Sequence, residues 1–147
     1  MDFQDKTSPI TWRLHLNSAP AKVFRMLSTD DGRARFWAES AMEQNGHIHF
    51  RFPNAQSYTG EILAQFPPSL FRVEYFGGSV ASFSLESDGA GGTDLTLVDE
   101  RVPEEYVCEV SAGWVSVLMA LKGAVDFGVD LRNHDPRRTW ETGFLDN

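Results

Sequence analysis

A chain of 147 residues with 41% apolar and 12% aromatic side chains has the size and content of one packed domain, not of a disordered segment or a coiled coil. Its 21 acidic against 13 basic residues leave a net charge of −8, which repels phosphate backbones and anionic membrane surfaces and argues against nucleic acid or membrane partners. The lone Cys108 excludes an internal disulfide, the acidic N-terminus lacks the features of a secretory signal, and the longest apolar run, Trp114–Leu121, is far shorter than the roughly 20 residues that span a bilayer, so a cytoplasmic protein is expected.

From Ile10 to Asn17 apolar and polar residues alternate strictly, with Ile10, Trp12, Leu14 and Leu16 on one face, which predicts a half-buried strand. Ser18 is placed to cap a short helix that carries Pro20 in its first turn and Val23, Phe24 and Leu27 on one side. The segment Thr29–Arg33 reads as a break, and Ala34–Ala38 as a second short helix with Phe36 and Trp37. A meander of about six strands follows, punctuated by turn residues at Asn45–Gly46, Pro53, Pro67–Pro68, Gly77–Gly78 and Asp88–Gly92. The clearest strands are His47–Phe52, Tyr58–Gln65, Leu70–Phe76, Val80–Ser87 and Thr93–Arg101.

From about Pro103 the period becomes helical, with Val110, Trp114, Val117, Leu118, Leu121 and Val125 recurring at steps of three and four over about five or six turns. So apolar a ridge must be covered, and the apolar face of the sheet is the surface of matching size. Gly113, Gly123 and Gly128 in that helix predict close packing or a bend. The tail beyond Leu131 carries Trp140, Phe144 and Leu145 and is expected to dock, on this domain or on a second copy in a homodimer.

The order strand, two short helices, strands and long terminal helix resembles the START-like superfamily of lipid-transfer domains, the birch-pollen allergen and polyketide cyclases. The segments SAPAKVFRMLSTDDGRARFW (Ser18–Trp37), DGAGGTDLTLVDE (Asp88–Glu100) and AGWVSVLMALKGAVDFGVDLRNHDP (Ala112–Pro136) look like the branch related to the C-terminal domain of the activator of the ninety-kilodalton heat-shock protein's ATPase. The resemblance implies an α+β helix-grip fold: a curved antiparallel sheet of about six or seven strands wrapped on a long C-terminal helix, with two short helices after the first strand. It implies one START-like domain over residues 1–147, with a core at 10–131 and a tail at 132–147. It also implies a cavity between sheet and helix that holds an apolar or aromatic molecule. The activators themselves carry a further N-terminal domain not found in this sequence, so a chaperone partner in stress response stands as a separate expectation.

On that fold the expected ligand-binding residues are Trp12, Phe24, Phe50, Phe52, Tyr75, Phe83, Trp114, Leu118 and Leu121. Any one of these rings alone would more often simply fill a core. Asp99, Glu100 and Arg101 at the end of the last strand are the candidates for acid–base chemistry of a cyclase or aromatase kind. Strand alternation turns either Asp99 or Glu100 inward, where an ion pair with Arg72 or Arg101 is expected. His47 and His49 share a strand face and His15 lies on another, but no third ligand is placed beside them, so neither metal nor cofactor is expected. His134 has no nucleophile set beside it by any motif, and Cys108 reads as structural. Binding is favoured over catalysis.

Overall fold

The computed structural model describes residues 6–147. Strand β1 (Thr7–Leu16) leads into helices α1 (Pro20–Ser28) and α2 (Asp30–Ala34). Six strands follow: β2 (Ser40–Gln44), β3 (His47–Arg51), β4 (Ser57–Phe66), β5 (Leu70–Glu74), β6 (Val80–Ser87) and β7 (Thr93–Pro103). Helix α3 (Val107–Phe127) comes next, and the tail after it contains one short 3-10 turn at Trp140–Thr142. The strands form one seven-stranded antiparallel sheet of order β1-β7-β6-β5-β4-β3-β2. The meander thus runs in sequence order, and β1 returns to the free side of β7.

Each element follows from its residues. Along β7, Leu95, Leu97 and Asp99 are buried while their neighbours are not, as a strand with one covered face requires. β4 turns the corner of the sheet: its first half pairs with β3, its second with β5, with a register shift between Ile62 and Ala64. Gly60 permits the bend, because a Cβ there would stand 2.0 Å from the Glu74 carbonyl oxygen. α3 seats Trp114, Val117, Leu118, Leu121 and Val125 on the sheet. It is long and apolar enough to cross a membrane by composition, but these residues make it the roof of the core. It ends at Gly128 (φ 66), and a Cβ on Gly123 would meet Leu131 at 2.9 Å where the chain doubles back, the close packing expected from the glycines.

Several local expectations are corrected. The second helix is Asp30–Ala34, not Ala34–Ala38, and it begins inside the segment read as a break. The Thr29 hydroxyl accepts the Gly32 N–H at 3.0 Å, and Asp30 and Asp31 occupy the first turn, so the apparent turn signal Thr-Asp-Asp-Gly is a helix start. Ser18 does not cap α1, whose N-cap residue is Ala19; its hydroxyl instead bonds the Val125 carbonyl and Asp126 at the far end of α3. β2 carries no legible alternation, because Ala41 is its one buried residue. Arg33 is fully buried, donating to the Ala41 carbonyl at 2.9 Å, the Leu27 carbonyl at 3.1 Å and the Asp30 carboxylate at 2.6 Å. It staples both short helices to β2.

Candidate functional site: a cavity between sheet, helix and tail

Where β5 ends and β7 runs out, the sheet diverges from α3 and leaves a cavity of about 560 Å³. Tyr75, Phe76 and Gly77 form one wall, and Val102 and Pro103 the end of β7. Tyr106 stands just before α3, Val110, Gly113, Trp114 and Val117 come from α3, and Trp140, Phe144 and Leu145 from the tail. Gln56, Glu109 and Ser116 supply side-chain polar groups in a lining that is otherwise mostly apolar. The volume lies within the roughly 300–1,000 Å³ usual for small-molecule sites.

Behind the cavity stands an aromatic cluster centred on Trp37, whose ring lies 4.9 Å from Phe50, 5.7 Å from Tyr75, 5.3 Å from Phe83 and 5.9 Å from Trp114. Two indole donors fix it. Trp37 Nε1–H donates to the Tyr75 hydroxyl at 3.1 Å, and Trp114 Nε1–H donates to Asp99 Oδ2 at 2.8 Å. The two rings of this cluster that line the cavity, Tyr75 and Trp114, are therefore held by hydrogen bonds as well as by packing. Burial above all pushes the Tyr75 hydroxyl up, so it stays neutral.

Asp99 is the inward residue of the acidic pair. It is fully buried, and burial pushes its carboxyl up against the Trp114 bond and the nearby Ser79 hydroxyl, which favour the ionised form. Its Oδ1 has no hydrogen-bond partner of ordinary geometry among the described residues. The expected ion pair with Arg72 or Arg101 does not form at Asp99. Arg72 instead pairs with Glu100 at 3.4 Å on the outer face, and Arg101 is exposed with a left-handed backbone (φ 62). That irregularity lets Glu100 and Arg101 both point outward before Val102 turns back in.

Of the sequence-predicted binding residues, Tyr75 and Trp114 line the cavity. Phe50, Phe52 and Phe83 lie in the core behind it, Phe52 touching the lining rings Phe76 and Trp140 at 5.4 and 5.7 Å. Phe24 packs edge-on to Phe71, and Leu118 and Leu121 sit in the core under α3. Trp12 lies on edge strand β1, 39% exposed, with its indole N–H on the Ser111 carbonyl at 3.3 Å. Sequence reasoning did not assign Phe76, Val102, Tyr106, Val110 or the tail residues to the site. The three large apolar side chains of the tail were the available signal. Of the strand histidines, His47 and His49 bond the Asn45 carbonyl and Thr59, while His15 meets Asp94 at the opposite edge of the sheet.

A curved antiparallel sheet gripping a long C-terminal helix, with two short helices after the first strand, defines the helix-grip, START-like class. The chain belongs to the family described as Activator of Hsp90 ATPase homolog 1-like protein, whose model matches residues 17–126. No curated protein matches it. Among solved structures it is similar to the Aha1 dimer from Colwellia psychrerythraea, at 22% identity and TM-score 0.74, covering 82% of this chain and 98% of that one. It is also similar to the protein SSP2350 from Staphylococcus saprophyticus, at 21% identity and TM-score 0.72, covering 85% and 96%. DynU16, a protein of the dynemicin biosynthetic locus, aligns at 19% identity and TM-score 0.70, covering 85% of this chain and 49% of that one. At these identities the likeness is one of fold.

Proposed function

We propose that this chain, as one START-like domain over residues 1–147, binds a small apolar or aromatic molecule in the cavity between β5, β7, α3 and the tail. The observation that carries the reading is the 560 Å³ space itself, apolar and backed by the hydrogen-bonded rings Tyr75 and Trp114. Titration with fatty acids, flavonoids and polyketide-like aromatics, followed by tryptophan fluorescence, tests it. A saturable change is expected for at least one class. The plugging variant Gly113→Leu must abolish that change, since Gly113 lines the cavity and a Cβ there meets nothing within 4 Å. A response that survives the plug, or none across the set, removes the reading.

A second reading, cyclase-like chemistry on the bound molecule, is favoured by Asp99, a buried carboxyl with raised pKa beside the Trp114 wall. Here Asp99→Asn should leave binding in place and stop turnover of any aromatic found to bind. Equal turnover by the variant would dismiss Asp99. The family resemblance supports a third, chaperone-linked role, which a pull-down with the chaperone's middle domain decides.

A further inference from the structure

Six of the side chains that line the cavity are aromatic: Tyr75, Phe76, Tyr106, Trp114, Trp140 and Phe144. The rings at the end of β5 and on α3 are tilted to one another. Tyr75 and Phe76 stand 4.6 Å apart at 54°, and Tyr75 and Trp114 stand 5.0 Å apart at 39°. Rings so inclined make a curved wall, which suits a rounded group better than a flat polycycle. Depth sorts the lining further. Tyr75 and Trp114 are buried at the inner end, while Tyr106 and Phe144 are 49% and 39% exposed and Glu109 is exposed, which puts these three at the mouth. Tyr106 and Glu109 are three residues apart at the start of α3 and so share one side of it.

The charge of this lining is one-sided. Glu109 is its one acidic side chain, and no Lys, Arg or His among the described residues joins it. Lys6, whose carbonyl accepts the Glu104 N–H at 2.8 Å, and Arg101 are both exposed and outside the lining. The start of α3 brings a dipole of about half a positive charge. Against it stand the carboxyl groups of Glu104, Glu105 and Glu109 and a net charge of −8 on the chain. An anion entering here meets repulsion with no cation in the lining to answer it, and a neutral molecule leaves Glu109 unanswered. A cation is attracted by the carboxylate and by aromatic rings within about 6 Å of it. A primary ammonium is strongly hydrated and needs acceptors for three N–H groups, which rings do not supply. A tertiary or quaternary ammonium carries its charge under an apolar coat. We propose that the ligand of this cavity is an organic cation, a tertiary or quaternary ammonium on an apolar body. Its head sits at the mouth with Tyr106, Phe144 and Glu109, and its body lies against Tyr75 and Trp114. This inference rests on the binding reading above and narrows it by charge.

Three probes of similar size and different charge test it, each titrated into the full chain and followed by tryptophan fluorescence. They are benzyltrimethylammonium, its uncharged isostere neopentylbenzene, and the anion phenylacetate. Benzyltrimethylammonium is expected to bind at least about fivefold tighter than neopentylbenzene, the scale of a cation on aromatic rings, and phenylacetate the most weakly. Glu109→Gln and Tyr106→Leu, both at exposed positions, should each narrow the ratio of cation to isostere by at least about twofold. Glu86→Gln, which removes one exposed charge on β6 outside the lining, should leave it unchanged. Equal binding of cation and isostere, with both lost in Gly113→Leu, overturns the proposal while leaving the cavity a site for neutral molecules. Tighter binding of the isostere or the anion overturns it in the same way. A ratio that neither Glu109→Gln nor Tyr106→Leu alters, or cation binding that survives Gly113→Leu, also overturns it, by placing the cation elsewhere on the acidic surface. Silence from all three probes overturns it as well, and only together with silence across the fatty acids, flavonoids and polyketide-like aromatics does it remove the binding reading too.

Discussion

The two sides of the main cavity are held in different ways. On the side of the sheet and α3, Tyr75 and Trp114 rest on Trp37, Phe50 and Phe83, rings that are all nearly inaccessible to solvent. On the tail side, Trp140 and Phe144 are carried by a segment tied down mainly by polar groups. His134 bonds Glu39 at 2.7 Å and Asp130 at 2.6 Å, Arg132 bonds two carbonyls of the α2 region, Asn133 bonds Asp146 at 3.1 Å, and Asn54 reaches Glu141 at 3.0 Å. Packing resists salt and pH, whereas charged hydrogen bonds at a half-exposed surface do not. One wall is therefore fixed, and the other answers to solution conditions.

Breaking the fixed wall should have the largest effect. Trp37→Ala removes a ring in contact with five others together with the donor to Tyr75, and is expected to cost about 3–5 kcal/mol of stability, read by urea denaturation. On the tail side, Arg132→Met strips the donors from the Ala34 and Ala38 carbonyls, at a cost of about 1–3 kcal/mol. Hydrogen exchange should rise in residues 130–147 well before it rises in β6 and β7. Uniform loss of protection would mean that tail and core are one cooperative unit.

A smaller effect sharpens the contrast through pH. Both ring nitrogens of His134 face carboxylates, so the imidazole satisfies both only when doubly protonated. The Asp130 bond chiefly raises its pKa, with Glu39 adding and burial opposing. A raised folded-state value stabilises the tail fully below the ordinary His value of about 6.5, and the contribution is lost as pH rises through the raised value. Burial works to raise Asp130, but hydrogen bonds from Arg132 and His134 outweigh it and hold Asp130 at about 2, so its contribution is present above the ordinary carboxylate range and lost as pH falls through about 2. Trp140 fluorescence should thus report tail loosening as pH rises above the ordinary His value, and His134→Asn should flatten that profile. An unchanged profile in the variant would remove His134 as the latch.

The smallest expected change in stability is the most informative about space. Gly113→Leu replaces a helical glycine facing open volume, which should stabilise the fold by up to about 1 kcal/mol, seen as a higher Tm. A large destabilisation would mean that the cavity wall cannot accept a side chain.

The fixed wall was legible in the sequence and the responsive one was not. Alternation along β5 and on into Tyr75, alternation along β6 and the three-four spacing of α3 place Tyr75, Phe83 and Trp114 on the inner face, because periodicity converts directly into direction. The same reasoning misplaced Trp12 relative to the cavity: it identifies a strand face but not where the covering helix stops, and β1 is the sheet edge. The tail has no period. Trp140, Phe144 and Leu145 announce burial without saying against what, and the bonds that settle it span from Asn54 to Glu141 and from Glu39 to His134. Asp99 was recognised as one of two candidates for the inward position, yet its partner is the Trp114 indole and not an arginine. Alternation fixed its direction, while the outward turn at Arg101 carried the guanidinium away.

Native mass spectrometry of the freshly purified chain, compared with its denatured mass and with Gly113→Leu prepared in parallel, tests the central claim most directly. The account predicts a noncovalent species of a few hundred daltons on the native chain, or its appearance after incubation with the aromatic set, and its loss in the plugged variant. An adduct of equal occupancy on both proteins, or an empty native chain that takes up none of the set, would contradict it.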